Sequence, residues 1–202
     1  MKILAIISQK GGSGKTTIAV HLAVCAELQG KATLIIDLDP QASAIAWVRR
    51  RGDETPEVVN AEPTQLPSLL EKAKIGGADL VIVDTAPHSD KAAAVAAQLA
   101  DMVLVPCRPA AFDVEAISST LNITKLASAK TAVLLNAVPV QGTHGKEVSE
   151  GLSQLVMVAP VQLYHRAAYF NAVNDGRSVE EYDPKGKAAQ EIRELYNWVM
   201  KL

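Results

Sequence analysis

Five stretches of the chain are apolar almost without interruption: Ile3 to Ile7, Ala32 to Ile36, Leu80 to Val83, Met102 to Val105 and Ala132 to Leu135. Each is short and runs into Gly, Pro, Asp or Asn within a few positions. Such runs read as strands buried on both faces, the form taken by a parallel sheet with helices packed on either side. Between them the spacing changes to that of helices. Ile18, Leu22 and Cys25 predict a helix over 15–29 with Gly30 as its C-terminal cap. Further helices are expected over 42–51, 66–74, 89–100, 111–129 and 145–156. Val58-Val59 allows an edge strand at most, and Ala159-Pro160-Val161 reads as a short last strand. Near the end, Ala188, Ile192, Leu195 and Val199 line one helical face, which docks on the core and leaves Arg193, Asn197 and Lys201 on another. The alternation predicts an α/β fold with a mostly parallel central sheet flanked by helices.

Composition supports that class and narrows the chemistry. The 202 residues are 49% hydrophobic but only 4% aromatic, so the core must be built from Ala, Val, Ile and Leu, and one domain over 1–202 suffices. A net charge of −2 gives no global field toward nucleic acid, so any DNA contact must be local. Cys25 and Cys107 lie in apolar patterns without metal-ligand spacing, which fits two reduced core thiols in a cytoplasmic protein. Met1-Lys2 leads straight into a strand with no leader pattern, and no apolar run approaches the roughly twenty residues that span a bilayer. No membrane partner is expected.

The chemistry concentrates at strand ends. After the first apolar run comes Gln9-Lys10-Gly11-Gly12-Ser13-Gly14-Lys15-Thr16-Thr17, glycine-rich and followed by a helical pattern. Glycines let the backbone curl so that amides form an anion nest, and the helix presents its positive end to the same place. Lys15 would reach the β and γ phosphates of a nucleotide, and the Thr16 hydroxyl would ligate Mg²⁺. The second strand runs into Asp37-Leu38-Asp39-Pro40-Gln41, whose alternation puts Asp37 and Asp39 on one side. Two carboxylates beside a phosphate cradle need a metal or a water between them and the nucleotide. The strand ending in Asp84 places a third carboxylate, suited to hold Mg²⁺ through water beside Thr16. Asn136 ends another strand at the same carboxyl edge, where open α/β sheets bind ligands, and its amide can match an adenine edge.

The run Lys10-Gly11-Gly12-Ser13-Gly14-Lys15-Thr16-Thr17 departs from the standard phosphate-loop pattern, since Gln9 stands where its first glycine should be. It resembles the deviant Walker A box of the ParA/MinD superfamily of P-loop ATPases, closest to short ParA partition proteins without an N-terminal DNA-binding domain. The resemblance extends over essentially the whole chain. Asp37-Leu38-Asp39-Pro40-Gln41 resembles that family's switch I, and Asp84-Thr85-Ala86-Pro87 its switch II, with Ala86 where proline is common. The resemblance implies a P-loop fold, ATP and Mg²⁺ as cofactors, and catalysis by Lys10, Lys15 and Asp39. Lys10 would act across a homodimer interface on the partner's nucleotide. Asp39 would position the attacking water, Asp37 would support the Mg²⁺ shell, and Asn136 would contact the base, with Gly11 to Thr17 holding phosphate. Arg108 becomes a candidate for the nucleotide or the dimer interface, while His88 reads as a surface or interface contact.

The segment Tyr164 to Val179 is similar to the family's arginine, short helix and glycine stretch, which implies non-specific DNA contacts from Arg166 and, on the last helix, Arg193. The implied function is partition: an ATP-dependent sandwich dimer attaches to nucleoid DNA and is released when a ParB-like or centromere-binding protein stimulates hydrolysis. Arg49-Arg50-Arg51 reads instead as a solvated helix end. Other readings stay open. Positioning of another cargo such as an organelle uses the same kind of ATPase. A MinD-like membrane cycle would need a basic amphipathic C-terminal helix, and a metabolic ligase of the superfamily would need a small-molecule substrate.

Overall fold

The computed structural model describes residues 1–202. The apolar runs become β1 (Lys2–Ile6), β2 (Thr33–Asp37), β4 (Leu80–Asp84), β5 (Met102–Cys107) and β6 (Thr131–Leu135), with β3 (Glu57–Asn60) and β7 (Met157–Val158) at the edges. They form one sheet in the order β3-β2-β4-β1-β5-β6-β7, and every pairing is parallel. The helices are α1 (Lys15–Glu27), α2 (Ser43–Arg51), α3 (Leu66–Ile75), α4 (Asp90–Leu99), α5 (Ala111–Leu126), α6 (His144–Ser153), α7 (Ala167–Asn174), α8 (Val179–Tyr182) and α9 (Lys187–Lys201).

Strand alternation divides the core. Leu4 and Ile6 of β1 face α1, α2 and α9, whereas Ala5 points to the opposite side, under α3, α4, α5 and α6. Alanine carries the close contacts, with Ala19, Ala23 and Ala26 of α1 and Ala92, Ala93, Ala96 and Ala97 of α4 all buried. The expected face of α9 is buried at Ala188, Ile192, Leu195 and Val199, and both cysteines are buried free thiols.

Some boundaries differ from expectation. The last strand is Met157–Val158 rather than 159–161, because the Leu135 carbonyl that Val161 would meet in a continuing ladder accepts from Leu163 instead. Past it come Ala159 N–H to Val133 O at 2.8 Å, Leu163 N–H to Leu135 O at 2.9 Å and an isolated parallel bridge between Val138 and Tyr164. Helix α1 stops at Glu27, three residues before Gly30, whose φ of 74° turns the chain toward β2.

Candidate nucleotide site

β1 and β4 are neighbours at the centre of the sheet, and the loops leaving their carboxyl ends build the site. Gly12 and Gly14 take φ values of 71° and 95°, and α1 starts at Lys15 with no side-chain cap. The loop amides and the first turn of α1 are therefore free to bind an anion. Gly14 has a second reason to lack a side chain, because a Cβ there would collide with the Asn136 amide. Lys15 is buried, and its Nζ donates to the Ser8 carbonyl at 3.2 Å. Burial lowers its pKa, opposed by the charges of Asp84 and Asp39.

The residues present fit a magnesium-bound triphosphate. Thr16 Oγ1 donates to Asp84 Oδ2 at 2.6 Å, while Asp84 Oδ1 is buried without a partner. No group of three or more His, Cys, Asp or Glu side chains could hold a metal by itself. A hydroxyl and one carboxylate suit Mg²⁺ when phosphate oxygens and waters complete its shell. Burial is the main cause that pushes the Asp84 pKa up to about 7; Thr16 opposes it and Asp37 adds to it.

Two cavities meet at Gly12, Gly14 and Thr17. The smaller, about 250 Å³, is lined by Lys15, Thr16, Asp39 and Pro87. The larger, about 530 Å³, runs past Asn136 to Tyr164, Arg166 and Tyr169. Asn136 Nδ2 donates to the Ser13 carbonyl at 2.7 Å, which ties the end of β6 to the loop. Gln9, in place of the first glycine, reaches away and donates to Asp90 Oδ1 at 2.9 Å, and its carbonyl accepts from the His88 amide at 3.2 Å. The segment after β4 is thus stitched to the loop, with the His88 side chain exposed. Arg108 extends over the loop and donates to the Gly12 carbonyl.

Other expected residues sit differently. Asp37 is fully buried, and both its oxygens accept backbone amides, from Asp39 at 3.0 Å and Ala44 at 3.0 Å. It fastens the loop carrying Asp39 to the start of α2. Arg166 and Arg193, expected to face DNA, are each paired within the chain, to Glu191 at 2.7 Å and to Glu180 at 3.2 Å. Each pairing offsets part of the charge that a phosphate contact would draw on. Arg51 is no solvated helix end. Its side chain is 7% exposed, forks onto both Glu181 oxygens at 2.8 and 2.7 Å, and stacks over Trp47. Lys10 turns from its own cradle to Asp113, a residue the sequence marks only as a first-turn acid.

A glycine loop opening an α-helix at the carboxyl edge of a parallel sheet, with a buried lysine and a hydroxyl–carboxylate pair beneath it, defines a P-loop nucleotide-binding domain. Residues 4–179 match the CobQ/CobB/MinD/ParA nucleotide binding domain, and the chain belongs to this ParA/MinD family of nucleotide-binding ATPases. It is 32% identical to maintenance of carboxysome distribution protein A of Gloeobacter kilaueensis, over 98% of this chain and 92% of the relative. It is 23% identical to the sporulation initiation inhibitor protein Soj of Bacillus subtilis, over 96% of each chain. Among solved structures it resembles septum site-determining protein MinD of Pyrococcus horikoshii complexed with Mg-ADP. That match has a TM-score of 0.79 at 19% identity and covers 99% of this chain and 96% of that one. No helix is long and apolar enough to cross a membrane.

Proposed function

We propose that this chain is an ATP-driven positioning ATPase of the cytoplasm whose cargo is a large body of the carboxysome kind rather than a plasmid. Residues 1–202 work as one domain, and ATP joins two copies around their nucleotides. The support for the cargo is the 32% identity to the carboxysome distribution protein over nearly the whole of both chains, against 23% for Soj. In this reading Gly11 to Thr17 cradle the phosphates, Lys15 neutralises them, and Asp39 orients the attacking water. Thr16 and Asp84 hold Mg²⁺, which would offset charge on the β and γ phosphates. The observation that carries the homodimer is that Lys10 does not serve its own loop: its Nζ lies on Asp113, with the side chain 37% exposed. A lysine beside a cradle that already has Lys15 can serve a neighbour once its pair with Asp113 opens.

Transient attachment to nucleoid DNA would supply the track, and an adaptor protein on the cargo would stimulate hydrolysis. Arg166 and Arg193 are paired within the chain, which favours other cations for that attachment. Deleting the gene in its host while imaging the organelle-like bodies and measuring plasmid inheritance tests the reading. Clustered bodies with normal plasmid inheritance support it. Plasmid loss with bodies in place would transfer the function to DNA partition with a ParB-like or centromere-binding protein, the second reading, which the likeness to Soj favours.

A further inference from the structure

Arg166 stands at the N-cap of α7, and its side chain, 20% exposed, forms part of the wall of the larger cavity with Asn136 and Tyr169. Its Nε donates to Glu191 at 2.7 Å, and the guanidinium lies over the Tyr164 ring, 5.3 Å from its centre. Glu191 is itself buried and held from two further directions, by the Tyr164 amide at 3.1 Å and the Tyr169 hydroxyl at 2.9 Å. A guanidinium carries five N–H donors in one plane. Glu191 takes the donor at Nε, so the two Nη nitrogens have no acceptor in the chain. A fork oriented by a buried carboxylate and an aromatic ring, with its open end on a cavity, is arranged for a ligand.

Across the same cavity, Asn136 offers the complement. One Nδ2 hydrogen goes to the Ser13 carbonyl, which fixes the amide, and Oδ1 has no partner within the chain and is open to accept. A donor on one wall and an acceptor on another match a base edge that carries an amine beside a ring acceptor, as adenine does and as guanine reverses. We infer that Arg166 is a nucleotide-contacting residue that donates to the base end of ATP, and that Glu191 is the positioning residue that aims it. This replaces the DNA contact implied by sequence resemblance, and it rests on the proposed placement of the triphosphate in the Gly11–Thr17 loop.

The test compares equilibrium binding of Mg·ATP and of magnesium tripolyphosphate, which engages the loop but has no base, by calorimetry. Arg166→Ala should weaken ATP about tenfold, the scale of a hydrogen bond from a charged donor, and leave tripolyphosphate unchanged. Arg166→Lys, which keeps the charge but loses the fork, should recover part of the loss. Glu191→Gln should show a smaller loss confined to ATP. Unchanged ATP affinity in Arg166→Ala, or equal losses for both ligands, would overturn the assignment. So would normal ATP affinity with reduced DNA retention. Asn136→Ala separates the two levels: if it weakens ATP while Arg166→Ala does not, only this inference fails. If neither variant changes ATP affinity, the base lies elsewhere and both base contacts fail; only absent tripolyphosphate binding would overturn the loop placement itself.

Discussion

Lys10 and Asp113, 103 positions apart in the chain, are joined by an ion pair of 2.5 Å that ties the phosphate loop to the first turn of α5. The contact holds a cation within its own subunit, whereas the proposed dimer needs that cation on the other subunit's nucleotide. The pair must therefore open before the lysine can cross, and each partner can be tested separately. Lys10→Ala is expected to bind ATP as a monomer within about twofold of the parent and to fail to dimerise. Asp113→Asn should lower the protein concentration at which ATP produces dimers, by about threefold for the loss of a half-exposed ion pair. Light scattering across a protein titration reads both, and full dimerisation of Lys10→Ala would count against trans action.

Asp39 lines the smaller cavity beside Lys15 and Thr16, with its backbone amide held by Asp37 at 3.0 Å. Asp39→Ala should keep ATP affinity, since Asp39 makes no contact with the loop's amides, and should reduce turnover at least a hundredfold, leaving a long-lived ATP dimer. Phosphate release together with size-exclusion chromatography in ATP measures this. Near-normal hydrolysis would take the water-positioning role away from Asp39.

Asp84 gives the nucleotide-free protein a pH dependence of definite sign. Burial raises its pKa from 3.8 to about 7, so between those values the native state keeps a proton that the unfolded chain has released. The stability contributed by this protonated group is fully present below about pH 4 and is lost as pH rises through 7. Relative to the parent, Asp84→Asn should therefore gain on the order of 2 kcal/mol between pH 5 and pH 8, while losing Mg²⁺-dependent nucleotide affinity. Thermal denaturation of both proteins at the two pH values checks this; an advantage of equal size at both would show that ionisation of Asp84 is not its source.

Arg51 joins α2 to α8 through Glu181, and Gly176 packs so tightly against the Arg50–Arg51 backbone that a Cβ there would collide. Arg51→Ala leaves a half-buried carboxylate without its partner and removes the stack on Trp47. A loss of about 3 kcal/mol in urea denaturation is expected. A loss below about 1 kcal/mol would return Arg51 to the solvated helix end read from its sequence context.

The elements that could be read in advance are those whose cause is local. An unbroken apolar run followed by a polar residue identifies β1, β2, β4, β5 and β6, because a strand buried on both faces tolerates no alternation. The last strand lies earlier than the sequence suggests because Leu163 rather than Val161 reaches the Leu135 carbonyl, a match that exists only once β6 lies alongside. Ala42, His88 and Ala137 take left-handed φ values of 50°, 53° and 52° in the loops after β2, β4 and β6. Neither alanine nor histidine announces such a turn, and their strain is sustained by the packing around the ligand edge.

The sequence by itself determined the phosphate cradle and the order of strands and helices, because both follow from contiguous residues whose backbone freedom, charge and hydrophobicity act over one or two turns. It also carried enough likeness to mark the family. Tertiary structure alone decided what each outlying charge does. Lys10 meets Asp113, Arg166 meets Glu191, Arg193 meets Glu180 and Arg51 meets Glu181 only after the sheet has brought distant segments together. A charged side chain acts through whatever lies within a few ångströms of it, and in a folded chain that distance bears no relation to separation along the sequence.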